Sequence, residues 1–341
     1  MNPIGLDLGG ANLKASDGKT AVTRPFPLWR EPDRLSDALK KLLELYPAGA
    51  PLAVTMTGEL ADCFETRAMG VSRILDAVDL AGQGRTISVW QTGGEFVSTA
   101  DARYLPELVA AANWHALATW AGRMCPEGVS LLMDIGSTTT DIIPIENGLP
   151  ATGGLTDRQR LTTGELLYLG VERTPVPCLS DHVMLNGVRV GLAREVFATT
   201  LDLHLVLGER PDEPENRDTA NGGPATLHAA RIRLARQICS DLDETSDAEI
   251  LEIARFLRVR QQELVLQALG SAWPFSVPPK SVLTSGAGEF LAVRTLTSMG
   301  SPWSQVERLS LRQMLGPQRS SAACAEALSH LAAERLREPG F

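Results

Sequence analysis

The sequence predicts an α/β fold built from two related halves, and three stretches carry that prediction. In the first, the apolar run Val129-Ser130-Leu131-Leu132-Met133 leads into Asp134-Ile135-Gly136-Ser137-Thr138-Thr139-Thr140-Asp141. A buried strand there ends abruptly in an acid, a glycine and four hydroxyls. In the second, near the N-terminus, Asn2 to Leu8 is apolar apart from Asp7, and Gly9-Gly10-Ala11-Asn12-Leu13-Lys14 follows. The third is Ser281-Val282-Leu283-Thr284, a short strand after which Ser285-Gly286-Ala287-Gly288-Glu289 opens a helix. Laid together, Asp7-Leu8-Gly9-Gly10 matches Asp134-Ile135-Gly136-Ser137, and Asn12 falls on Thr139. A supersecondary unit repeated in this way points to a duplicated architecture.

Each turn has the chemistry of an anion cradle. Glycine lets the backbone approach, while successive N–H groups and the hydroxyls of Ser137, Thr138 and Thr139 can donate. Asp134 can hold a hydrated magnesium ion beside them. A single acid-glycine turn reads equally well as a connector between two strands; the second copy favours the cradle.

Between the turns the chain alternates strands and helices. Thr20 to Pro27 reads as a third strand, and Pro32-Asp33 starts a helix that puts Leu35, Leu39, Leu42 and Leu43 on one face. Pro51 to Met56 is a strand that delivers Thr57-Gly58-Glu59-Leu60-Ala61-Asp62 to the sheet edge shared with the first turn, where α/β proteins place their chemistry. Glu59 and Asp62 are candidates on that ground, although acids at a helix start also complement its dipole. Thr66 to Gly82 reads as a helix, Thr86 to Trp90 as a strand, and Leu105 to Met124 as one helix carrying Asn113 and Trp114. Trp114 reads as core. Pro126-Glu127-Gly128 breaks the chain, which sets a domain boundary there.

After Asn147-Gly148, polar and basic segments hold Arg158, Arg160 and Arg173, which together suit an anion pocket. Each alone reads more simply as the partner of a surface acid. The aperiodic stretch from Leu207 to Pro224 has the composition of a lid. Two helices follow, Ala225 to Asp241, with Arg231, Arg233 and Arg236 largely outside, and Asp247 to Leu269. Ser320 to Arg337 is a final helix.

Composition narrows the partners. With 44% hydrophobic and 21% charged residues the chain is an ordinary globular one. Its formal charge of −9 argues against nucleic acid or an anionic membrane as partner. No apolar run approaches the roughly 20 residues of a membrane span, and the N-terminus enters a strand without a signal peptide, so the cytoplasm is expected. Five scattered cysteines and five histidines show neither a Cys-x-x-Cys pair nor zinc-ligand spacing. The partners expected are small molecules, with a homodimer left open.

The two acid-glycine turns and the late Ser-Gly-Ala-Gly turn, in this order, resemble the actin, sugar kinase and Hsp70 superfamily. That resemblance implies a two-domain actin-like ATPase (ribonuclease H-like) fold with a helical insertion in the second domain. The domains would be 1–125 and 126–318, the insertion about 150–280, and a C-terminal helix within 319–341 would pack back on the first domain. More narrowly, Thr55-Met56-Thr57-Gly58-Glu59-Leu60-Ala61-Asp62, Asn113-Trp114, the run from Asp134 to Pro144, and Glu195 to Thr200 with Asp202 are similar to tetrahydromethanopterin-linked C1-transfer proteins of the hydantoinase and oxoprolinase branch.

This narrower resemblance implies a step of methanofuran or methylofuran biosynthesis. An aminomethylfuran methylene diphosphate condenses with the phenol of γ-glutamyltyramine, or a related tyrosine-derived phenol, to give an aryl ether and diphosphate. Asp7 and Asp134 would hold Mg²⁺. Gly9, Gly10, Asn12, Gly136, Ser137, Thr138, Thr139, Gly286 and Gly288 would bind phosphate. Lys14, Glu59, Asp62 and Asp134 would be catalytic, and Asn113, Arg158, Glu165 and Arg173 would contact substrate. The broader superfamily leaves two rivals: an ATP-dependent small-molecule kinase or oxoprolinase-like hydrolase, and a non-catalytic nucleotide-dependent binder.

Overall fold

The computed structural model describes residues 1–337. Its first sheet comprises β1 (Ile4–Leu8), β2 (Asn12–Ser16), β3 (Ala21–Pro25), β4 (Leu52–Met56), β5 (Ile87–Trp90) and β6 (Phe96–Ser98), in the order β3-β2-β1-β4-β5-β6. The second is built from β7 (Val129–Ile135), β8 (Thr140–Glu146), β9 (Leu149–Pro150) and β10 (Leu166–Leu167). A two-stranded ribbon, β11 (His182–Leu185) with β12 (Val188–Gly191), stands apart, and β13 (Ser281–Ser285) and β14 (Glu307–Ser310) complete the second sheet. Its order is β10-β8-β7-β13-β14, with β9 also on β8. In both sheets the opening strands pair antiparallel and the next two add in parallel beside the first, while β6 closes the first sheet antiparallel to β5. Apart from the extra edge strand β6, the two halves share one strand order, the duplicated actin-like architecture that the repeated turns predict.

Strands β1 and β7 explain how the turns come to face each other. All five residues of β1 are buried, as expected of a strand covered on both faces. Ile4, Leu6 and Leu8 pack under the helices Leu35–Leu43 and Arg67–Ala81. Gly5 and Asp7 therefore point the other way. Strand β7 repeats the alternation, with Leu131, Met133 and Ile135 under the insertion and Leu132 and Asp134 turned inward. One apolar layer containing Trp90, Trp114, Leu117, Leu132, Ile143, Leu283 and Leu328 joins the two inner faces.

The helix Ala323–Arg335 supplies part of that layer, lying across β1, β2 and β4. It ends earlier than the sequence suggests, and residues 338–341 of the 319–341 segment lie outside the described residues. A Cβ on Gly5 would stand 1.9 Å from the Ala325 carbonyl oxygen, so only glycine admits the helix at this depth. Glu326, fully buried, anchors it: the Ser16 hydroxyl, Arg319 and His330 surround its carboxylate. Burial alone would raise the Glu326 carboxyl, but those three groups hold it down to about 2.

Two expectations need correction, and one element was not foreseen. The helix read over 105–124 is broken into Pro106–Val109 and Asn113–Gly122. The chain between them bridges Ala110 to Met56, and Ala111 takes φ 48°. That detour places Asn113 at the start of a helix facing the cleft. The ribbon β11–β12, unforeseen from the sequence, turns at Asn186-Gly187, both at positive φ, an Asn-Gly hairpin signal between two short apolar-rich runs. Arg233, expected outside, is 1% exposed and donates to Asp202 at 2.8 Å. Replacing it with Met would leave Asp202 a buried charge without a partner, so the Arg233→Met protein is expected to lose about 3–5 kcal/mol in urea unfolding.

The stretch from Leu207 to Pro224 has neither helix nor extended strand, yet it is tied down. Its Asp212 accepts from Leu227 N at 2.7 Å, Glu213 bridges Ala225, and Asp218 pairs with Arg173.

Candidate active site

The two turns are the same four-residue structure. Gly9 N donates to Asn12 O at 3.0 Å, and Gly136 N donates to Thr139 O at 2.8 Å. Each is backed by a glycine from a neighbouring segment. A Cβ on Gly58 would lie 3.2 Å from Gly10 N, and one on Gly170 would lie 2.4 Å from the Ser137 carbonyl. Both turns open into one cavity of about 590 Å³.

The hairpins differ in charge. Asp7 stands across from Lys14 in the β1–β2 register, whereas Asp134 stands across from Asp141 in β7–β8. Lys14 Nζ lies 3.8 Å from Asp7 Oδ2, while Asp7 Oδ1 is buried with no donor. Burial raises the Asp7 carboxyl against the pull of Lys14. It also pulls the Lys14 ammonium down, but Asp7, Cys324 and Asp134 more than offset this and hold it above its ordinary value. At Asp134 the compensation falls short. Burial, reinforced by Asp141 and opposed by Lys14, pushes its carboxyl up to about 7. Glu59, 1% exposed, is likewise pushed up to about 7 by burial and then by Asp157.

Among the lining residues, the carboxylates of Asp7, Glu59, Asp62, Asp134, Asp141 and Asp157 face only Lys14, Arg160 and Arg173 as cations. An acidic cavity of this kind accepts an anion only together with positive charge. Among the described residues no group of three or more His, Cys, Asp or Glu side chains could hold a metal alone. The donor set does suit magnesium, which keeps several waters and takes one or two carboxylates plus phosphate oxygens. The unpartnered Asp7 Oδ1 and the under-compensated Asp134 are the two oxygens such an ion would satisfy.

Most of the expected site residues come together. Asp7, Gly9, Gly10, Asn12 and Lys14 line the cavity from the first turn, and Asp134, Gly136, Ser137, Thr138 and Thr139 from the second. Glu59, Asp62, Asn113 and Arg173 join them. Four do not. Gly286, at φ +87°, and Gly288 lie behind the second turn, where a Cβ would strike Ile135 O or the Ile135 side chain. Their glycine character serves close packing of β7. Arg158 is exposed and faces away. Glu165 is buried with its carboxylate capping Gly153 N and Gly154 N, so it shapes the loop.

The residue that takes the place foreseen for Arg158 is Arg160. It is 1% exposed, donates to Asp141 Oδ1 at 2.8 Å and to Glu165 O at 3.0 Å, and lies 4.0 Å from the ring centroid of Trp114. The signal was present in the sequence. A capping box formed by Thr156 and Gln159 starts the helix Asp157–Thr163, and residues three apart on a helix share a face. Asp157 and Arg160 therefore face the cavity together, and Arg158 cannot. Trp114 is core, as expected, but also lines the cavity with its indole N–H unpartnered. Trp29, Tyr168 and Cys324 complete the wall, and nothing in their local sequence marked them.

Fold and turns together define a two-sheet protein of the actin-like class with one cleft between its inner faces. The chain belongs to the hydantoinase/oxoprolinase family, whose family model matches residues 52–272. It is 34% identical over 266 residues to the (4-{4-[2-(gamma-L-glutamylamino)ethyl]phenoxymethyl}furan-2-yl)methanamine synthase of Methanocaldococcus jannaschii, spanning 77% of this chain and 79% of that protein. To the synthase of the same name from Methanococcus vannielii it is 42% identical over 124 residues, 36% of this chain and 55% of that protein. Among solved structures, the PilM-PilN type IV pilus biogenesis complex gives a TM-score of 0.49 at 14% identity, with 99% of each chain covered.

Proposed function

We propose that this chain is a synthase of the same kind: it joins an aminomethylfuran methylene diphosphate to the phenol of γ-glutamyltyramine, or of a related tyrosine-derived phenol, and releases diphosphate. The observation that carries this reading is the pair of matching turns opening into one cavity with Lys14 beside them. The phenoxymethylfuran in the relatives' name is an aryl ether of the kind this condensation forms.

The chemistry suits the residues. The bond from the methylene carbon to the diphosphate oxygen breaks, and its electron pair leaves with the diphosphate. The electron-rich furan steadies the cation that develops on carbon. The phenol oxygen then bonds to that carbon, and its proton passes to a carboxylate of the loop Thr57–Asp62. Lys14, the turn N–H groups and the hydroxyls of Ser137, Thr138 and Thr139 are placed to receive the departing charge. Magnesium held by Asp7 and Asp134 would add Lewis-acid stabilisation of the leaving group. Asn113 and Arg173 are placed to orient the substrates.

Incubation of the purified protein with magnesium, the furan diphosphate and γ-glutamyltyramine, in the absence of ATP, is expected to give ether and free diphosphate in equal amounts. Chelation of the magnesium should stop both. Product formed only with ATP, accompanied by ADP, would replace this reading with a kinase-type reaction.

A further inference from the structure

Glu59 and Asp157 lie outside both phosphate turns and enter the cavity from opposite halves of the molecule. Glu59 follows β4 of the first sheet, and Asp157 opens the helix Asp157–Thr163 beside the second. Glu59 is 1% exposed, lines the cavity, and its Oε2 has no protein donor. Leaving a buried carboxylate oxygen unsatisfied is costly unless a ligand completes it. The nearby cations do not complete it. Among the described residues no hydrogen bond or ion pair links Arg67 to Glu59, and Arg160 is committed to Asp141 and the Glu165 carbonyl. Glu59 and Asp157 both line the cavity, and Asp157 is close enough to act electrostatically on Glu59.

Resting on the synthase reading above, we propose that Glu59 and Asp157 together bind the primary ammonium of the furan substrate and select for it. The relatives' name ends in methanamine, a primary amine carried on the furan. An ammonium has three N–H donors and one positive charge, which suits a pair of carboxylates of which Glu59 keeps one oxygen without a donor, even with Arg67 nearby. The reach is short, because Gly58, next to Glu59, packs against Gly9 and Gly10 of the first turn. A molecule as small as an aminomethylfuran diphosphate spans from that turn to Glu59. Asp62, exposed on the cavity wall, is left to take the phenol proton.

The test compares two diphosphates with the same phenol, one bearing the aminomethyl group and one with methyl in its place. Wild-type protein is expected to prefer the amine by at least about 100-fold in kcat/KM, since a site built for N–H donors rejects an analogue without them. Glu59→Gln and Asp157→Asn should each cut that preference about tenfold or more, chiefly through KM. Calorimetric titration with furfurylamine, which needs no turnover, should show weaker binding to both variants. If Glu59→Gln fails to fold, the half-buried Asp157 position carries the comparison alone. Equal use of both diphosphates by wild type, or a proportional loss on both in the variants, would overturn the assignment while leaving the synthase reading intact. No ether from either diphosphate would remove the synthase reading and this assignment with it.

Discussion

Asp134→Asn is expected to lower turnover by two orders of magnitude or more while the protein remains folded. Asparagine keeps the shape of the side chain and removes its charge, and loss of one electrostatic contact to a departing anion costs about 10²–10³ in rate. The pH dependence follows from the burial of this carboxyl, which moves it from an ordinary 3.8 to about 7. Because the folded value is raised, the ionised form is the one the fold disfavours. Stability of the magnesium-free protein should be greatest below the unfolded value and decline as pH rises toward and through 7. Urea midpoints measured from pH 5 to 8 should fall more steeply in wild type than in Asp134→Asn, and magnesium should restore the wild-type value at pH 8. Turnover close to wild type in the variant would reject the role of Asp134.

Gly170→Ala is expected to be nearly as damaging, at a position with no charge and no contact with solvent chemistry. The new Cβ would stand 2.4 Å from both C and O of Ser137 and 2.5 Å from Thr138 N, so the turn itself must shift. The Gly170 carbonyl also accepts from Thr200 Oγ1 at 2.9 Å and Gln261 Nε2 at 3.0 Å, which ties two helices of the insertion to the same spot. A displacement of about 1 Å can cost roughly 100-fold in rate, and overpacking about 1–3 kcal/mol in stability. Steady-state kinetics and urea unfolding check both. Gly270→Ala is the control: its Cβ would meet nothing within 4 Å on a helix, so stability should rise by about 0.5–1 kcal/mol.

What was legible in the sequence was whatever a local pattern determines. Both turns, their match and the strands entering them follow from apolar runs ending in Asp-x-Gly, and the duplicated strand order follows from the repeat. Less visible were features set by distant packing. The choice between Arg160 and Arg158 is the exception, a helix phase set locally by the capping box of Thr156 and Gln159. Asp141 gains its meaning from standing opposite Asp134 in an antiparallel register. Gly286 and Gly288 look like ligand-binding glycines, yet their constraint is Ile135 of β7, its backbone for Gly286 and its side chain for Gly288. The break at Ala111 comes from a bridge to Met56, and no propensity of Leu105 to Met124 announces it.

The helix Ala323–Arg335 has a consequence for how the molecule comes into being. Strands β1, β2 and β4 leave the ribosome well before the helix that covers their inner face, which begins more than 250 residues further along the chain. Until it arrives, the groove over Gly5 is open, Ser16 has no Glu326, and Cys324 is missing from the cleft wall. Contacts of such sequence separation slow folding, and the nascent first sheet exposes apolar surface throughout synthesis of the second half. Catalytic competence therefore cannot be acquired piecemeal during translation; the first sheet waits for the helix Ala323–Arg335.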